Sequence, residues 1–247
     1  SVNDSRNLDR KDFITLPSAE LHCYGKKYDQ DGVWHIVANG LPTDFACPNA
    51  NESAADLIAR AQAGGAYVSL AHPGWYSMTT SEALLVSAAD AVEIYNYSCV
   101  LSSARESGIM IADFLLNEGH KISFTATDDS HFHLPDFAGG WVMVAAPELS
   151  QSAIIAALKA GHHYSSTGAD FNDISIDKGI LTVQTTPVQS IVLSGEGHLA
   201  SACHGNNITV ARFDLSKFAS QWFRITARGF SNQMAWSNPY FKNDLGL

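Results

Sequence analysis

The sequence predicts an α/β fold built on a parallel sheet and followed by a small antiparallel β domain. From residue 13 to about 167, short apolar runs alternate with helical periodicities. That is the pattern of repeated βα units around a sheet, either open or closed into a barrel. After about residue 170 the helical periodicity fades, and short β-type runs are separated by Gly, Asn and Asp turns, as in a sandwich-like module. The 247 residues, 46% hydrophobic, suffice for a full core in one large or two modest domains. The expected division is a barrel-type domain over 1–168 and a β-sandwich-like domain over 169–247.

The elements follow in order. Phe13 to Leu16 is a short extended run ended by Pro17, and Val33 to Val37 is a strand closed by Asn39-Gly40. Ser53 or Asn51 caps a helix over 54–63, which Gly64-Gly65 stops. Ala66 to Ala71 is an apolar run of the kind buried on both faces. A helix near 80–87 leads to a strand over 91–95, and a helix over 104–118, stopped by Gly119, leads to the strand 122–126. Trp141 to Val144 is a further strand, and Ser150 caps an alanine-rich helix that ends at Gly161. The second domain reads as runs at 174–176, 180–183, 191–193, 208–210 and 222–226.

Charge narrows the function. The chain carries 15 Lys and Arg against 25 Asp and Glu, a formal charge of −10, and its basic residues are nowhere clustered. This excludes a phosphate-tracking groove, and with it nucleic acid as a main partner. An anionic substrate would have to be neutralised chiefly by bound metal ions. The four cysteines show no C-x-x-C pairing and form neither a zinc-finger nor a dense disulfide framework. No apolar run approaches the ~20 residues that span a bilayer, so no membrane partner is expected. Ser1 and the residues after it show no signal-peptide pattern and leave the compartment open. N-x-S/T matches at Asn3, Asn51, Asn96 and Asn207 carry little weight, because the pattern is common by chance.

The chemistry gathers where strands stop. The strand 122–126 empties into Thr127-Asp128-Asp129-Ser130-His131-Phe132-His133. Side chains two apart on extended backbone share a side, so Asp129 and His131 can close on one cation. The segment after Pro17 delivers Glu20 and His22, the strand before 72 delivers His72, and the strand 91–95 delivers Asn96. Functional side chains collect at the C-terminal ends of strands in such folds. Three separate tips bearing His or acid favour a metal site over solvated loops. The carboxylate and imidazole mixture suits zinc, manganese or iron. Trp75, Trp141 and Trp236 could line an aromatic pocket, although core packing is the default for such residues. His162-His163 is expected at a helix end or as a surface pair, His198 and His204 in solvent, and Ser165 to Gly168 in a simple turn.

The segments "AHPGW" at 71–75, "AVEIYN" at 91–96 and "ATDDSH" at 126–131, with "GGWVMV", "IIAALKAGHHYSSTG" and "AWSNP" further on, resemble the PHP (polymerase and histidinol phosphatase) superfamily. The closer resemblance is to its metal-dependent phosphoesterases with a C-terminal β module. It implies a distorted (β/α)7 barrel binding up to three divalent metals. Glu20 in "SAELH" resembles the bridging glutamate, His72 the histidine of the third motif, and Asp129 with His131 the D-x-H of the last. His35 in "WHIVANGL" resembles a histidine near the site, expected, like His22, to support the ligands or touch substrate rather than to bind metal. Asp128 is placed to orient His131 or a water, and Asn96 and His133, with the Ser165 loop as a weaker candidate, to touch substrate. Glu20, Asp129 and His131 are the expected catalytic residues.

The chain departs from the family pattern ahead of Glu20, where the family's H-x-H and D-H are missing. The resemblance therefore implies a barrel without its first strands, holding fewer metals. A truncated chain, a cleaved or disordered N-terminus and a degenerate homologue stay open. The exposed edge would favour self-association or pairing with an N-terminal segment. The expected activity is hydrolysis of a small phosphate ester by metal-activated water, lost if the truncation removes the ligands. The alternatives are a non-catalytic carbohydrate- or protein-binding module on a degenerate barrel, and a metal-dependent hydrolase of a C–N bond.

Overall fold

The computed structural model describes residues 2–24, 33–49 and 51–247. The first sheet comprises β1 (Ser18–Tyr24), β2 (Val33–Asn39), β3 (Tyr67–Leu70), β4 (Ala91–Asn96) and β5 (Ser123–Thr127), hydrogen-bonded in that order. The β1–β2 and β2–β3 pairs are antiparallel, and only the β3–β4 and β4–β5 pairs are parallel. The expected (β/α)7 barrel, and with it the TIM-like architecture, is therefore wrong. The molecule is mostly β, in two sheets. Parallel neighbours need a crossover of a dozen or more residues, and only eight residues separate β1 from β2. The extended run at 13–16 makes only an isolated bridge at Phe13, and the strand forms on the far side of Pro17.

Helices cover this sheet where the sequence provides caps. In α1 (Ala54–Ala63) the Ser53 hydroxyl accepts from the Asp56 amide, and Ala54, Leu57, Ile58 and Ala61 are buried, the i, i+3, i+4, i+7 stripe of a one-faced helix. Of the helix expected over 104–118, only Ile109–Asn117 forms, as α4; an unexpected short helix, α3 (Tyr97–Ser102), precedes it, with α2 (Thr80–Leu85) before both. Between them the chain folds back onto β4: Asn96 N donates to Glu106 O, and Gly108 N to Ile94 O. A Cβ at Gly108 would stand 2.2 Å from Glu93 O, so only glycine permits this approach and the helix starts after it.

The second sheet contains β6 (Trp141–Val144), β7 (His163–Ser166), β8 (Phe171–Asp177), β9 (Ile180–Gly195), β10 (Ala200–Asp214), β11 (Trp222–Arg228), β12 (Met234–Ser237) and β13 (Tyr240–Phe241). Its order is β10-β9-β11-β12-β7-β6, with β8 on β9 and β13 on β11. α5 (Gln151–Lys159), capped by Ser150, links β6 to β7, yet the two pair antiparallel. The expected runs at 180–183 and 191–193 are one strand. Pro187, with no N–H to give, sits where the β9–β10 register shifts. Leu181, Val183, Ile191, Leu193, Phe223 and Ile225 fill the second core.

Three devices lock the sheets together. Trp222 and Trp236 join the first sheet's core. Arg224 grips both carboxylate oxygens of Asp113 on α4 at 2.7 Å. Asn238 accepts from Phe124 N at 2.8 Å and donates to His163 O at 2.9 Å. His163 is thus no surface histidine: it is 7% exposed, buried in β7 at this seam. Its Nε2 lies 3.1 Å from Phe124 O. A carbonyl only accepts, so Nε2 carries the proton. Nδ1 is buried without a hydrogen-bond partner, so charging the ring would bury an unmet N–H.

Burial accordingly pushes the His163 pKa down to about 4, below the ~6.5 of an unfolded chain. The unfolded state takes up the proton first, so stability falls as pH drops from ~6.5 toward 4, by up to about 3 kcal/mol from this group. Urea midpoints at pH 7.5 and 5 should differ less in His163→Gln than in the parent; equal differences would remove His163 as the cause.

Candidate metal centre

Glu20 and His22 lie two apart on β1 and so face one side of the sheet. The β1–β2 register sets His22 directly opposite His35, and their rings stack at 4.1 Å between centroids. His72 follows β3, whose end is tied to β2 by the Ala71 N to His35 O bond of 3.2 Å. Three strands thereby deliver one cluster. Glu20 Oε1 is 2.9 Å from His35 Nδ1 and 3.3 Å from His72 Nε2, and those two nitrogens are 3.3 Å apart. Glu20 Oε2 is 3.3 Å from His22 Nε2.

This donor set fits a divalent cation. Bonds of ~2.0–2.1 Å in a tetrahedral site put neighbouring donor atoms ~3.3 Å apart, close to the spacings found here. A carboxylate oxygen and two imidazole nitrogens converge, and one cation would satisfy all three lone pairs at once. Glu20, His22 and His35 also offer ligand atoms within 4.8 Å of one another. Burial opposes charge on Glu20, but hydrogen bonds from His35, His72 and His22 outweigh it and hold the carboxyl well below the usual range. Burial also opposes charge on His72, yet the Glu20 hydrogen bond and the nearby Glu93 and Asp129 carboxylates raise its pKa. The cluster therefore sits in a negative field. His72 Nδ1 is buried and has no hydrogen-bond partner among the described residues.

The second half of the site is held at β4 and β5. Asp129 lies 4.0 Å from His131 Nδ1, and Asn96 Nδ2 donates to Asp129 Oδ2 at 3.1 Å. Asp129 is linked to His72 by hydrogen bonds through Asn96 and a residue that sequence reasoning missed. Glu93, 2% exposed, accepts from His72 N at 2.6 Å, from Asn96 Nδ2 at 3.0 Å and from Thr127 Oγ1 at 2.6 Å. Burial pushes its carboxyl pKa up, against those partners. Two candidate ligands, His72 at φ 26° and Asp129 at φ 51°, occupy backbone that L residues rarely adopt, a strain typical of functional sites. Glu93 stabilises both turns, one through the His72 amide and the other through Asn96. Its signal was available: a lone acid inside the apolar run "AVEIY" has to be buried and paired.

Asp128 does not orient His131. Its oxygens accept from the amides of Ala138, Gly139 and Gly140 at 2.7–2.9 Å and close the loop after β5. Asp136 accepts from the His131 and Phe132 amides, which hold its carboxyl below the usual range. His131 and His133 project from this loop into solvent. Ser165 and Ser166 are buried in β7, not in a turn open to substrate. Of the tryptophans, Trp236 is buried, whereas Trp75 is 39% exposed and touches the cluster. All four cysteines are free. Among the described residues, no helix is long and apolar enough to cross a membrane. In comparisons with known protein families, curated proteins and solved structures, nothing matches this chain.

Proposed function

We propose that the protein is a divalent-metal-dependent phosphoesterase centred on Glu20, His35 and His72, with Asp129 and His131 as the further ligand pair. The convergence of one carboxylate oxygen and two imidazole nitrogens within 3.3 Å carries the reading. The resemblance of "AHPGW" and "ATDDSH" to phosphoesterase motifs points the same way. Bound zinc, manganese or iron would lower the pKa of a coordinated water toward ~7 and offset phosphoryl charge.

The protein's own groups prepare that chemistry. Glu20 stays ionised at neutral pH because three imidazoles face it, so it is a ligand without first losing a proton. His22, its side chain 54% exposed against 34% for Glu20, is the member of the cluster most open to an entering substrate. Asn96 and Glu93 fix the orientation of Asp129 and of the His72 backbone. With no dense patch of Lys or Arg in a chain of charge −10, a phosphate would be neutralised at the metals.

The test is turnover of phosphomonoesters, phosphodiesters and amides by protein supplied with zinc, manganese or iron salts. Ester hydrolysis is expected, falling about 100-fold or more in Glu20→Gln. Turnover of amides alone, or of nothing in the panel, would contradict the assignment.

A further inference from the structure

We propose that Trp75 is a recognition wall for an aryl group, so that the phosphate ester taken by this centre carries an aromatic alcohol. This rests on the metal-centre reading above and adds the substrate class. The indole centroid lies 5.3 Å from the His72 ring and 5.7 Å from the His35 ring, so one side of Trp75 is packed on two candidate ligands. The rest is open: Trp75 is 39% exposed, against 3% for Trp34, 2% for Trp222 and 8% for Trp236. An exposed tryptophan is ordinary on a surface, but one leaning on a convergent His/Glu cluster presents its open face beside any ligand of that cluster.

The wall is built rigidly. Trp75 N donates to His72 O at 2.9 Å, and its carbonyl accepts from Arg105 Nη1 at 3.1 Å. A Cβ at Gly74 would come within 2.5 Å of Ser107 O, so the turn that presents the indole is pinned against the 105–107 segment. Little conformational freedom is left to lose on binding, the condition under which an aromatic face adds affinity. Phe132, adjacent to His131, is 78% exposed and adds apolar surface on the loop that bears the second ligand pair. Aromatic rings at centroid distances of ~4.5–7 Å attract through offset or edge-to-face contact, which discriminates an aryl from a methyl ester about tenfold.

The test uses non-hydrolysable probes, read by calorimetry on zinc- or manganese-loaded protein. Phenylphosphonate should bind about tenfold more tightly than methylphosphonate to the parent and to Trp75→Phe, and equally to Trp75→Ala, with metal content unchanged in all three. If both probes bind the parent equally, or the phenyl preference survives in Trp75→Ala, the wall is refuted while the metal centre stands. A tighter fit for a trimethylammonium-bearing phosphonate would also refute it, because the indole would then be reading charge. If neither phosphonate binds metal-loaded protein, the phosphoesterase reading falls first and the wall with it.

Discussion

Glu93→Leu is expected to destabilise the metal-free protein by about 4 kcal/mol and to weaken metal uptake by 10- to 100-fold or more. Leucine matches glutamate in bulk but offers no acceptor. It would leave the His72 amide, the Asn96 amide group and the Thr127 hydroxyl, all now within 3.0 Å of Glu93, without their partner. Each buried donor left unmet costs about 1–3 kcal/mol. Glu93→Gln should be far milder. Its carbonyl can take the two donors on the Oε2 side, while its NH2 meets Thr127, whose hydroxyl can turn and accept. A loss of about 1 kcal/mol is expected there. Urea midpoints of the metal-free variants and zinc calorimetry of the loaded ones decide the matter. Equal effects from Leu and Gln would show that Glu93 acts through bulk or charge alone. Full metal affinity in Glu93→Leu would show that it does not couple the two halves of the centre.

Asp128→Ala should release the loop over 130–139 while leaving the sheets folded. One carboxylate now gathers three successive amides. The loop also depends on Gly139, where a Cβ would stand 2.1 Å from the Tyr97 ring. Part of the loss is made good by water, so about 2–3 kcal/mol of local closing free energy should disappear. Proteolysis of a transiently opened segment follows its open population, and cleavage within the loop should speed up about 30- to 100-fold. Unchanged cleavage would mean that Asp136 alone holds the loop. Metal occupancy should fall only in part, since Glu20, His35 and His72 lie on other elements.

What could be read from the sequence was local. α1 and α5 were legible because Ser53 and Ser150 cap them and glycine follows each. β3, β4 and β5 were legible as apolar runs of strand length. The direction of pairing was not, because side-chain periodicity is the same in parallel and antiparallel strands, and a first strand expected at 13–16 leaves sixteen residues before Val33, room for a crossover that the true β1 (Ser18–Tyr24) does not leave. The joining of 180–195 into one strand was hidden by Pro187, which reads as a break until a register shift accommodates it. Glu20 and His72, both candidates from the sequence, do meet at 3.3 Å, although only His72 follows a strand end and Glu20 lies inside β1. Glu93 was missed and His163 misplaced at the surface for the same reason. A buried polar group inside an apolar run is distinguished only by its partners, and most of these come from elements 21 or more positions away.

The most direct test of the account is a zinc and manganese titration of the purified protein, followed by calorimetry. The parent should take up metal saturably, and Glu20→Gln, altered at a side chain 34% exposed, should lose most of that affinity with its circular dichroism unchanged. Absence of saturable uptake by the parent, or equal uptake by the two proteins, would contradict the claim that Glu20, His35 and His72 form one cation site.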